Sequence, residues 1–115
     1  MWNISDYPIE DKLNTYLMRI QEGTLINLPG ICPVCGRNEV HIYFNRHRTS
    51  KIGGVWVWCS SCRHYTHGTY LIPQWWENNP EIIESELTHA PDVLEMVKDE
   101  IDKHFNKLYG NFVIK

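Results

Sequence analysis

Hydrophobic positions in the first third of the chain recur at helical spacing. Ile9, Leu13, Tyr16, Leu17 and Ile20 fall on one face, which predicts an amphipathic helix over residues 6–23. Ser5 or Asp6 offers a capping oxygen, and Pro8 falls in the first turn, where a missing N–H costs nothing. Glu10 and Asp11 complement the positive helix end, and Gly23 is a stop signal. The period then changes. Val40, Ile42 and Phe44 alternate with His41 and Tyr43, predicting a strand over 39–44. Val55 and Val57 alternate with Trp56 and Trp58, predicting its partner over 54–59, across a polar connection at 45–53. A third strand is predicted over 65–72, with Gly68 as a candidate bulge and Pro73 as its end. Beyond Pro73 the pattern is helical again. A short helix over 80–87 would bury Ile82, Ile83 and Leu87. A longer one from Pro91 to about Tyr109, closed by Gly110, would bury Val93, Val97, Ile101, Phe105 and Leu108. Its reverse face carries Glu95, Asp99, Glu100 and Asp102.

These elements predict an α+β fold: about three antiparallel strands over 29–72, flanked by an N-terminal helix and by C-terminal helices over 80–110. The 115 residues suit a single domain, 1–115. With 43% apolar and 22% charged residues the chain is not disordered in type. Its longest apolar run, 55–59, is far short of the roughly 20 residues of a membrane helix. The acids at Asp6, Glu10 and Asp11 do not suit a signal peptide, so a cytoplasmic chain without membrane contact is expected.

The net charge of -3 hides an asymmetry. Residues 32–74 carry Arg37, Arg46, Arg48, Lys51 and Arg63 against Glu39, a balance of +4, whereas 1–31 balance at -2 and 75–115 at -5. The basic middle third holds all four cysteines. Cys32-Pro33-Val34-Cys35 and Cys59-Ser60-Ser61-Cys62 are two C-x-x-C pairs separated by 23 residues. Two thiolates two residues apart fit one tight turn. Two such turns joined by a hairpin make a tetrahedral cage for Zn²⁺, with ligands about 2.3 Å from the metal. Gly36, lacking a β-carbon, relaxes the first turn. Four protein ligands leave no open position, so a single structural Zn²⁺ is expected on Cys32, Cys35, Cys59 and Cys62. Iron–sulfur ligation uses four cysteines as well. Disulfides are disfavoured without a secretion signal, and a thioredoxin-like motif would lead into a helix rather than lie at strand ends.

At these residues the chain resembles zinc ribbons: Cys32-Pro33-Val34-Cys35-Gly36 is similar to their first knuckle and Trp58-Cys59-Ser60-Ser61-Cys62 to their second. The resemblance covers 29–72 and implies a metal site, not a function, since ribbons serve nucleic-acid binding, protein docking and enzyme appendages alike. The leading helix, the Trp-x-Trp-Cys-x-x-Cys run, Pro73-Gln74-Trp75-Trp76 and the acidic helix together resemble small bacterial toxin-neutralising (immunity) proteins. That resemblance implies an inhibitor that binds a toxin, with a basic toxin domain as partner.

Other chemistry is sparse. No Ser-His-Asp order, HExxH or glycine-rich phosphate loop occurs, so no enzyme and no catalytic residue is expected. His64 and His67 follow the second knuckle and would be exposed or hydrogen-bonded, and nothing selects a pair such as His41 with Glu39. Glu95, Asp99 and Asp102, with an exposed member of the Trp75–Trp76 pair, are the candidate protein-binding residues. In the alternative reading Arg46, Arg48 and Lys51, near Tyr43, Trp56 and Trp58, bind nucleic acid in gene regulation, with cations on phosphates and rings stacked on bases.

Overall fold

The computed structural model describes residues 2–4, 6, 8–25 and 27–114, so the candidate cap Ser5 lies outside the described residues. The elements are β1 (Asn3–Ile4), α1 (Ile9–Glu22), β2 (Gly30–Ile31), β3 (Asn38–Arg46), β4 (Ile52–Cys59), β5 (His64–Leu71), a single 3-10 turn (Glu84–Glu86), α2 (Asp92–Met96) and α3 (Lys98–Ile114). The fold is α+β, as the patterning predicts. The three expected antiparallel strands form the body of the sheet. Two-residue strands extend it at both edges, giving five in the order β1-β5-β4-β3-β2 with β1 parallel to β5.

The hairpin is longer than the alternation suggests. Its register runs from Val40↔Cys59 to Arg46↔Gly53. Gly53 permits this reach, because a β-carbon there would sit 2.1 Å from the Asn45 carbonyl oxygen. Gly68 forms no bulge. It pairs regularly with Val55, and the Tyr70 ring fills the space a side chain would need.

α1 ends at Gly23, whose left-handed φ of 72° lets its N–H turn back to the helix carbonyls. At the other end Asp6 acts through its backbone: its carbonyl accepts from Glu10 N–H at 2.9 Å. The buried side of α1 is Leu13, Tyr16 and Ile20, which belong to the same core as Ile42, Phe44, Val55 and Val57 of the sheet and Ile101, Phe105 and Tyr109 of α3.

The C-terminal third departs from expectation twice. The helix expected over 80–87 shrinks to the one turn at Glu84–Glu86, and Ile83 is exposed. A segment this short has little helical stability of its own. It is held instead by side chains from elsewhere: Trp56 Nε1 donates to the Thr88 carbonyl at 3.0 Å, and Tyr43 Oη accepts from Asn79 N–H at 3.2 Å. The helix from Pro91 breaks at Val97, where φ is -122°. The break shifts the inward stripe, so Leu94 is buried whereas Val97 is exposed. Gly110 does not close α3. Phe112 beyond it stacks on Trp75 with ring centroids 5.8 Å apart, a contact that offsets the modest cost of an interior glycine.

The outer side of β3 is closed by side chains as well as by β2. Asn78 accepts from Arg46 N–H at 2.8 Å and donates to the Arg46 carbonyl at 3.0 Å, taking the place of a neighbouring strand. Tyr16 Oη donates to the Ile31 carbonyl of β2. No helix among the described residues is long and apolar enough to cross a membrane.

Candidate metal centre and its surroundings

Both C-x-x-C pairs form the same tight turn. In the first, Gly36 N–H donates to the Cys32 carbonyl at 2.9 Å, with Gly36 at φ 78°. In the second, Arg63 N–H donates to the Cys59 carbonyl at 3.0 Å, with Arg63 at φ 64°. A non-glycine residue in the left-handed region is strained. Arg63 is held there from both sides: its guanidinium lies 4.6 Å over the Trp2 ring, and its carbonyl accepts from Asn3 N–H at 2.8 Å. The second knuckle therefore anchors β1.

The β3–β4 hairpin brings the two turns face to face. The four sulfurs lie within 4.8 Å of one another, with Cys32 Sγ 3.8 Å from Cys62 Sγ and Cys35 Sγ 3.6 Å from Cys59 Sγ. Those separations are far above the roughly 2.05 Å of a disulfide. A tetrahedron with 2.3 Å metal–sulfur bonds has an edge of about 3.8 Å, so the spacing fits a single tetrahedral ion. Val34 N–H approaches Cys32 Sγ at 3.4 Å, a backbone donor suited to a thiolate. Burial works against the Cys35 thiolate, yet the Arg37 backbone N–H and the other three sulfurs outweigh it and bring its pKa down to about 7. Burial pushes the Cys59 and Cys62 thiols up. Metal binding at this site therefore displaces protons. The described metal-ligating cluster consists of the four cysteines alone.

His64 and His67 stand outside that cluster. His67 stacks on Trp56 at 4.2 Å and 19°, with Nδ1 3.1 Å from the Val55 carbonyl. Burial, then the neighbouring His89, lowers its pKa.

The expected acidic docking face is largely turned inward. Glu95 Oε1 accepts from Trp58 Nε1 at 3.0 Å and from Ser60 Oγ at 2.6 Å, and Oε2 lies 3.4 Å from Lys98 Nζ. Burial alone would raise the Glu95 pKa, but the bonds from Ser60 and Trp58 and the Lys98 charge hold it below the usual carboxylate value. Ser60 belongs to the second C-x-x-C pair, so this carboxylate braces the knuckle against α2. Asp102 is only 7% exposed, its oxygens 2.8 and 3.0 Å from His41 Nδ1, and burial raises its pKa. His41 is therefore partnered by Asp102, while Glu39 lies 3.6 Å from Lys98. Of the three acids expected on the docking face, only Asp99 is exposed. Trp76 is buried and Trp75 half-buried.

The aromatic–basic constellation is not assembled. Trp58, Trp56 and Tyr43 are buried in the core. Arg46 turns back to donate to the Pro73 carbonyl at 2.6 Å and the Trp76 carbonyl at 3.2 Å. Arg48 and Lys51 remain exposed without the rings.

One surface feature has no counterpart in the sequence reading. A half-open cavity of about 830 Å³ lies between α1, the end of β5, residues 73–75 and Phe112. Its floor includes Phe44, Val55 and Ile20, and its wall along α1 includes Asp11, Asn14, Met18 and Gln21. Met18 (59% exposed), Tyr70 (41%), Leu71 (75%) and Phe112 (49%) converge on it. Only the association of distant segments creates this groove, so helix periodicity alone cannot reveal it. Comparison of the chain with protein-family models, with curated proteins and with solved structures finds no match in any of the three.

Proposed function

We propose that the chain is a zinc-stabilised, non-enzymatic protein-interaction module of inhibitor or immunity type, which neutralises a toxin protein by binding it. A four-thiolate site is closed to substrate, so the role assigned to zinc is to hold the ribbon together, at a stabilisation on the order of 10 kcal/mol. The observation that carries the reading is the groove, where large apolar side chains from α1, β5 and α3 stay exposed around one cavity. Clustered exposed apolar surface of this kind marks interaction sites. The docking surface is assigned there rather than to Glu95 and Asp102, which are engaged inside the protein.

Affinity capture by the zinc-loaded chain from its native host, followed by co-expression with each captured protein, tests the proposal. The expected result is a protein that is toxic alone and harmless in stoichiometric complex. Retention of nucleic acid that is lost on neutralising Arg48 and Lys51, or catalytic turnover by the purified chain, would overturn it.

A further inference from the structure

The groove adjoins an open sheet edge. Among the described residues β1 covers β5 at His64 and Tyr65, and no strand pairs with the same side of β5 from His67 to Leu71. The direction of the unpaired backbone groups follows from one hydrogen bond. Ile72 N–H donates to the Lys51 carbonyl at 2.8 Å, so even-numbered β5 residues face β4 with their backbone groups. His67, Thr69 and Leu71 then direct N–H and C=O outward, and Thr69 and Leu71 are exposed.

We infer that this edge and the groove are one site, which takes an extended segment of the partner protein as a further strand on β5, with apolar side chains at alternate positions entering the groove and a lysine or arginine meeting Asp11. The inference rests on the interaction-module reading and specifies its mode. Tyr70 shares a sheet face with Gly68 and Val55, the face on which the groove opens, so every second residue of an added strand points into it. The walls match in length: residues 67–71 of β5 and residues 11–21 of α1 each extend about 15 Å. Among the described residues Asp11 is the one acidic or basic side chain lining the cavity, which favours a cationic residue on the segment.

A second copy of this chain fits poorly. Antiparallel self-pairing centred on Thr69 would set the copy's Tyr70 opposite Gly68, where the chain's own Tyr70 ring already fills the space, so the two rings would compete for one position.

A display library of random peptides of roughly ten residues, twice the length of the open edge, selected on the zinc-loaded chain, tests the inference. Enriched peptides are expected to alternate apolar and polar residues, to carry a lysine or arginine, and to shift the amide resonances of residues 67–71. Thr69→Pro removes an outward N–H without touching the β4 ladder, and Met18→Glu places a charge in the groove. Each should weaken peptide binding by roughly tenfold or more, with zinc content and melting temperature unchanged. N-methylation of the peptide backbone serves as a check independent of the protein's folding. It should abolish binding at one set of alternate positions and leave it intact at the other. Peptides with helical periodicity, binding indifferent to both variants, absence of enrichment, or self-association of the chain that Thr69→Pro abolishes would each overturn the inference. A toxin partner that binds both variants normally would remove the strand mode and leave the interaction reading intact. Selected strands without any neutralised protein would do the reverse.

Discussion

Replacing Glu95 by alanine should uncouple the second knuckle from α2. The indole N–H of Trp58 is fully buried and donates to Glu95 Oε1. Without that acceptor the donor remains desolvated and unpaired, at about 1–3 kcal/mol. The Ser60 hydroxyl also loses its charged acceptor but can rotate to another, so it adds less. The Lys98 contact adds below about 1 kcal/mol, because the lysine side chain is 33% exposed. The expected loss is about 3 kcal/mol for Glu95→Ala. Glu95→Gln should lose about 1 kcal/mol, since the amide oxygen still accepts both bonds and only their charge assistance disappears. Denaturant unfolding of the zinc-saturated proteins at pH 7 measures both. Competition with a chromogenic chelator should show metal affinity about tenfold weaker in the alanine variant, because Ser60 lies within the ligand pair that the carboxylate orients. The glutamine variant adds a pH signature. A carboxylate with a depressed folded pKa contributes stability that is present above its unfolded value near 4.3 and lost as pH falls through the folded value. The gap between the native chain and Glu95→Gln should therefore be constant from pH 7 to about pH 5 and close below about pH 4. A loss under about 1 kcal/mol for alanine, or equal losses for alanine and glutamine, would refute the bracing role.

Metal analysis should find one zinc per chain, and chelation should unfold residues 29–72, seen as loss of near-ultraviolet tryptophan dichroism and of amide protection. Asp102→Ala should cost about 1–3 kcal/mol by leaving the buried His41 Nδ1 without its partner, and Asp102→Asn distinctly less, both read from denaturant midpoints. Gly53→Ala drives a β-carbon onto the backbone of Asn45 and should cost at least about 3 kcal/mol, with exchange protection lost first at the hairpin end.

The parts of the fold that are legible in the sequence are those set by local rules. α1 is readable because its stripe, its first-turn acids and Gly23 all agree. The hairpin is readable because β3 alternates, β4 is a short run rich in valine and tryptophan, and the two cysteine pairs stand at its open end. The misread residues owe their roles to distant partners. A helical wheel assigns Glu95 and Asp102 to solvent because nothing local distinguishes them from Asp99. Their partners, Trp58 and His41, are 37 and 61 residues away. A weak signal was present: a buried tryptophan needs an acceptor for its N–H, and strand positions such as Trp58 and His41 call for polar partners from the packing helices. The break at Val97 and the left-handed Arg63 are likewise set by tertiary contacts.

The closure of the β3 side by Asn78 and Tyr16 bears on what the protein can assemble into. A sheet with two free edges can recruit strands at both and propagate into a fibre. Here, among the described residues, the Asn78 amide occupies the outward backbone groups of Arg46 and the Tyr16 hydroxyl occupies the Ile31 carbonyl, so the β3 side offers fewer groups for pairing than the β5 edge. Pairing through the β5 edge is thereby favoured over pairing at both sides, which limits growth into larger assemblies. Replacing Asn78 would then do more than loosen a loop: it would return the outward N–H and C=O of Arg46 to pairing with another chain.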